Sequence, residues 1–193
     1  MLDAKEVKKP ELKTVAADFL SEDKLNDFLN FTEFLQENRL MPRWVAKNAW
    51  EVKISGQQIL RRLRINTDEK IWTVNLHFFW KYNEYITDDD LKNFVWNNLR
   101  HNRCQHETQN CRNYSTIDIL GKNFNKMCCV GQITVINPSG KALEYTKELI
   151  LTAKKIIENI VAKEKIDGRF KGNIKYNLIG SMPVSGIHRG GLI

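Results

Sequence analysis

Six side chains in this sequence could do chemistry that the others could not: His101, Cys104, His106, Cys111, Cys128 and Cys129. Imidazole and thiolate are the ligands zinc prefers, and four of them in a tetrahedron complete a structural site. The best set is Cys104, His106, Cys111 and Cys128. Three of these share one polar loop, and Cys128 opens the strand that the loop must reach. The spacing argues the other way, because no Cys-x-x-Cys pair is present. Without a metal, the same residues could supply a thiol function. Lys122 and Lys126 lie near enough in sequence to lower a thiol pKa, and His101 or His106 could act as the base. Neighbours in a strand point to opposite faces, so only one of Cys128 and Cys129 can face a cleft. The plain alternative is a polar loop holding small buried cysteines.

Aromatic side chains are the second resource. The chain has five tryptophans, at 44, 50, 72, 80 and 96. Trp50, Trp72 and Trp80 fall on apolar strand faces, where they either pack the core or wall a ligand pocket between sheet and helices. They are the candidate ligand-binding residues. His77 falls on the opposite face from Trp72 and Trp80, where a solvated or hydrogen-bonded ring is expected. Arg61, Arg62 and Arg64, with Arg39, Arg43, Lys154, Lys155, Lys163 and Lys165, could form an anion-binding surface. A solvated polar face is the simpler account, since no helix-turn-helix, zinc finger or RNA-binding aromatic motif accompanies them. Phosphate loops, dinucleotide fingerprints and nucleophile elbows are absent from the sequence, which argues against a nucleotide-dependent enzyme.

The elements that must position these residues follow from the period of the apolar positions. Ser21 with Glu22 and Asp23 marks a helix start. Leu25, Phe28, Leu29 and Leu35 carry that helix over 22–38, and Pro42 forbids much extension. The period then changes to two. Trp50, Val52 and Ile54, then Ile59, Leu63 and Ile65, then Trp72, Val74, Leu76, Phe78 and Trp80 give three strands joined by short turns, a meander at 49–80. Asp88-Asp89-Asp90 opens a helix over 88–101, and Met127 to Ile136 reads as a fourth strand. Ser139 caps a helix over 141–164, whose apolar stripe runs from Leu143 to Val161. Residues 1–20 read as an arm or short lead-in. The expected fold is α+β: a mainly antiparallel sheet of about four or five strands covered by three helices. Residues 1–165 form the single domain, and 166–193, with six of the ten glycines, a C-terminal arm.

The bulk numbers set the compartment and the partners. A chain of 193 residues suits one domain with a sizeable core. No apolar run is long enough to span a membrane, and residues 1–6 lack a secretory signal, so a cytoplasmic protein is expected. Four cysteines are too few for a disulfide scaffold. The net charge of +7 is uneven: residues 138–193 hold 10 Lys and Arg against 5 Asp and Glu, a net of +5. That excess favours contact with polyanions, but it is also a common way to stay soluble.

Ile119-Leu120-Gly121-Lys122-Asn123-Phe124, then Cys128, then Asn137-Pro138 with Leu143 heading a long helix, resembles a group of small bacterial α+β proteins of unassigned activity. The resemblance spans about residues 44–162 and implies a compact α+β domain, with no function to carry over. The leading expectation is a binding module without catalysis, taking a small molecule or a protein partner. A thiol- or metal-dependent enzyme built on 101–129 comes second. A nucleic-acid-associated protein using the basic C-terminal third comes last, with weak or no binding expected at physiological salt.

No cofactor is expected. Elemental analysis of the purified, untagged chain should therefore find no stoichiometric metal. About one zinc per chain, lost together with thermal stability in Cys111→Ser, would establish the structural site instead.

Overall fold

Strict alternation in residues 71–77 fixes the sheet. The computed structural model describes residues 9–77, 81–100, 115–127 and 132–166. In it Trp72, Val74 and Leu76 are buried, while Thr73 and Asn75 between them are half-buried on the other face. Phe78 and Trp80, which would continue the row, lie outside the described residues.

The chain begins with helices α1 (Leu12–Phe19) and α2 (Glu22–Glu37), followed by strands β1 (Arg43–Ala46), β2 (Ala49–Ile54), β3 (Gln57–Asn66) and β4 (Ile71–His77). Then come the single turn α3 (Tyr82–Tyr85), α4 (Asp89–Asn98) and the two-residue β5 (Leu99–Arg100). A separate hairpin of β6 (Ser115–Ile119) and β7 (Lys122–Met127) precedes β8 (Gln132–Ile136) and the long α5 (Gly140–Ile166). The main sheet has the order β1-β2-β3-β4-β8-β5, antiparallel throughout. The fold is α+β, and the meander is the one expected.

One face of this sheet meets the helices. Phe28 and Phe31 of α2 set their rings against Trp72, at 5.2 and 5.5 Å between centroids. Leu149, Ile150, Ala153, Ile156 and Ile157 of α5 join Leu60, Leu63 and Ile65 of β3 in the same contiguous cluster of buried residues. Val15 and Ala16 of α1 and Leu91 and Val95 of α4 complete it.

β3 breaks the two-residue period twice. Ile59 is skipped between the pairs Val52↔Leu60 and Lys53↔Gln58, and Arg61 between Leu60↔Leu76 and Arg62↔Asn75. Each inserted residue reverses the parity of the side chains that follow. Ile59 and Leu60 are consequently both buried, and Arg61 and Arg62 are both exposed.

Among the described residues there are five helices rather than the three expected. Residues 12–19, expected as part of a lead-in, form α1, which has no side-chain cap at Glu11 and is held by the burial of Val15, Ala16 and Leu20. Tertiary packing sustains a helix this short where local sequence does not. α4 stops at Asn98, before the expected 101, because Leu99 turns extended and pairs with Ile133. β1, β5, β6, β7 and α3 are additions to the expected elements, and Met127, expected to open the fourth strand, instead ends β7, with β8 running from Gln132 to Ile136.

α2 ends in a paired motif. The Leu40 N–H donates to the Leu35 carbonyl at 2.8 Å, and the Arg39 N–H donates to the Gln36 carbonyl at 2.9 Å. Both leucines are buried. This is a Schellman ending, whose left-handed position usually holds glycine. Here Arg39 occupies it at φ 58°. Arg39→Gly should relieve that conformation and stabilise the fold by about 0.5–1 kcal/mol, read as a raised denaturation midpoint with an unchanged slope.

Candidate binding cleft

Trp44 on β1 and Trp50 on β2 are cross-strand partners, so their side chains lie on the helix-facing side of the sheet. Asn48, at φ 52°, makes the turn that brings them together. Beside them the start of α1 and the C-terminal half of α2 leave a cleft of about 350 Å³. Leu12, Thr32, Gln36, Met41 and Pro42 line it with the two indoles. Met41 is 62% exposed, although it is apolar. The Thr32 hydroxyl is committed to the Leu29 carbonyl at 2.9 Å. The Trp44 indole N–H is buried without a hydrogen-bond partner. Such a donor costs about 1–3 kcal/mol while it stays unpaired, and an acceptor placed against it recovers that cost.

The opposite face of the sheet carries a polar network. Gln58 donates its amide N–H to Glu51 and accepts through Oε1 from His77 Nε2, 3.0 Å away. Burial raises the Glu51 pKa. Hydrogen bonds from Lys53 and Gln58, with the charges of Lys53 and Arg43, outweigh it and hold the carboxyl below its ordinary value. His77 is 7% exposed. Burial first, and the Arg61 charge second, push its pKa down to about 4. The ring is a neutral, hydrogen-bonded member of the sheet, as expected for a histidine on that face.

Two other places gather polar groups. Glu33, Glu37, Glu144 and Glu148 border a groove between α2 and α5, where Lys147 pairs with Glu144 at 2.9 Å. At the β6–β7 turn, Asn83 accepts from the Leu120 N–H at 3.0 Å, and the Trp96 indole donates to the Ile119 carbonyl at 2.8 Å. These two bonds tie the hairpin to α3 and α4.

Of the residues singled out in the sequence, Trp50 borders the cleft and Trp72 is fully buried against Phe28 and Phe31. Trp80, Cys104, His106, Cys111 and Cys128 lie outside the described residues. So do His101, Cys129 and the glycine-rich stretch from 167 on. Among the described residues, no cluster of three or more His, Cys, Asp or Glu could hold a metal ion. No described helix is long and apolar enough to cross a membrane. Trp44 is the cleft residue that sequence reasoning passed over. Its signal was the Lys47-Asn48 turn between two tryptophans. No family model, curated protein or solved structure matches the chain.

The depressed histidine gives a pH test. The unfolded chain protonates this ring below about 6.5, the folded one only below about 4. Between those values the unfolded state binds more protons, so stability contributed by His77 is present above 6.5 and lost as pH falls toward 4. The full effect is about 3 kcal/mol at most. His77→Gln should flatten the decline of melting temperature across that interval, leaving only the carboxylate part.

Proposed function

We propose that this protein is a binding module without catalysis, and that the Trp44–Trp50 cleft takes a small amphipathic molecule. The unpaired Trp44 indole N–H in an aromatic-walled recess carries this reading. Small-molecule sites are mostly apolar concavities with a few polar groups that fix orientation. The ligand would present a flat apolar body to the half-buried Trp44 ring, a polar edge to the exposed Gln36 amide, and a carbonyl or similar acceptor to Trp44 Nε1, which is buried in the free protein and becomes reachable when the indole turns toward the cleft. Met41 at the mouth, flexible and polarisable, can close over ligands of differing outline.

Nuclear magnetic resonance tests this directly. The indole N–H signals of the labelled chain are recorded against mono- and bicyclic aromatic fragments carrying a carbonyl, with Trp44 assigned through Trp44→Phe. Fragments that bind should shift the Trp44 indole signal. Trp44→Phe should weaken them by about fivefold, the worth of one neutral hydrogen bond, while stabilising the free protein by about 1 kcal/mol. Fragments that bind elsewhere and leave Trp44 unmoved would refute the assignment.

A further inference from the structure

The face of the sheet turned away from the helices concentrates positive charge. By register, Arg43 stands opposite Glu51, Lys53 opposite Gln58, Arg62 opposite Asn75 and Arg64 opposite Thr73. Arg61 joins the same face by donating from Nη1 to Gln132 Oε1 at 3.3 Å. All five cations are exposed. Among the described residues the one carboxylate set between them, Glu51, is engaged by Lys53 at 2.6 Å. Arg62 and Arg64 have no carboxylate partner among the described residues.

The spacing of these groups suits a repeating anion. Arg62 and Arg64 are two residues apart on β3, about 7 Å, and Arg43 lies two strand spacings away, about 10 Å. Most of their neighbours are polar (Gln58, Thr73, Asn75, Gln132 and Thr134), with Ala49 opposite Arg64 and the exposed Ile136 opposite Thr73 as apolar members of the face. We propose that this face binds the phosphate backbone of a nucleic-acid duplex without reading its sequence. Guanidinium forks match phosphate oxygens in pairs, and four of the five cations are arginines. Protein–protein interfaces have apolar anchors at their centre, whereas nucleic-acid interfaces are polar and positive. This face is of the second kind. Single strands are gripped by stacking bases on aromatic rings; among the described residues β1 to β4 and β8 present no Phe, Tyr or Trp here, and the His77 ring is buried.

The lysines of α5 belong to a different surface. Lys154 donates to the Asn38 carbonyl at the end of α2, and Lys155 sits over the Tyr85 ring. The basic groups that the sequence groups together are therefore split between the two layers. Arg43, Lys53, Arg61, Arg62 and Arg64 share the face of the sheet, whereas Arg39 ends α2.

Fluorescence anisotropy of the full chain with a labelled mixed-sequence duplex of about 20 base pairs, from about 25 to 200 mM salt, tests the proposal. Three phosphate contacts give a slope of log affinity on log salt of about −3, with binding weak at the upper end. The double variant Arg62→Ala/Arg64→Ala should lower affinity at least about tenfold at low salt and reduce the slope by about 2, with an unchanged melt. Lys155→Ala/Lys163→Ala should leave both quantities as they were. No binding at about 25 mM salt, or equal loss in the lysine variant, overturns the proposal. So does tighter binding of a single strand of the same length, or competition by polyglutamate as strong per charge as the duplex.

Discussion

Burial of the Trp72 ring is the interaction on which the remainder of the molecule depends. Phe28 meets it edge-on and Phe31 tilts against it, so α2 is located on the sheet by two aromatic contacts. Its backbone is clasped as well. The Asn137 side chain accepts from the Trp72 N–H, and the Asn137 N–H donates to the Trp72 carbonyl, both at 2.8 Å. That clasp sets where β8 ends and α5 begins. With Trp72 inward, Val74 and Leu76 must also be inward, and their partners Val135, Ile133, Leu63 and Leu60 follow. A one-residue slip would reverse every one of these side chains.

The same choice of face decides where function can lie. Side chains on the covered side are consumed by packing except at the sheet margin. There β1 pairs with β2 alone among the described strands, and the helices cover Trp50 but leave Trp44 half-buried. The cleft is thus a packing defect at the edge of the core, furnished with one donor that folding leaves unpaired. The other side of the sheet is free to collect polar groups, and it does so with little acidic compensation.

Alternation made the meander legible: Trp72 to Leu76 reads correctly from composition and period alone. β3 was harder. Ile59, Leu60 and Leu63 have the spacing of a helix face, and only cross-strand pairing shows that inserted residues produce it. α1 escaped because eight residues without a cap bond carry almost no local signal; it exists by packing. Of the candidate site, Trp50 could be picked out from the period of its strand, whereas Trp44 could be found only through the turn that precedes Trp50. Its relation to Trp50 depends on a turn whose Asn48 must adopt positive φ. The arginines were recognisable as basic residues, yet period cannot say which layer a charge joins, so they were grouped with lysines of the opposite layer.

The two extra residues of β3 have a consequence of a different sort. Gln58 and Arg62 lie on the same face, as they would in a regular strand, since the second insertion restores the phase that the first one shifts. Each bulge absorbs its own extra residue, because the pairs on either side of it are already in register. Loss of Ile59 or of Arg61 would therefore close the ladder to a regular pair and leave the flanking residues on the faces they now occupy. The strand has two places where its length can change by one residue without turning an arginine inward.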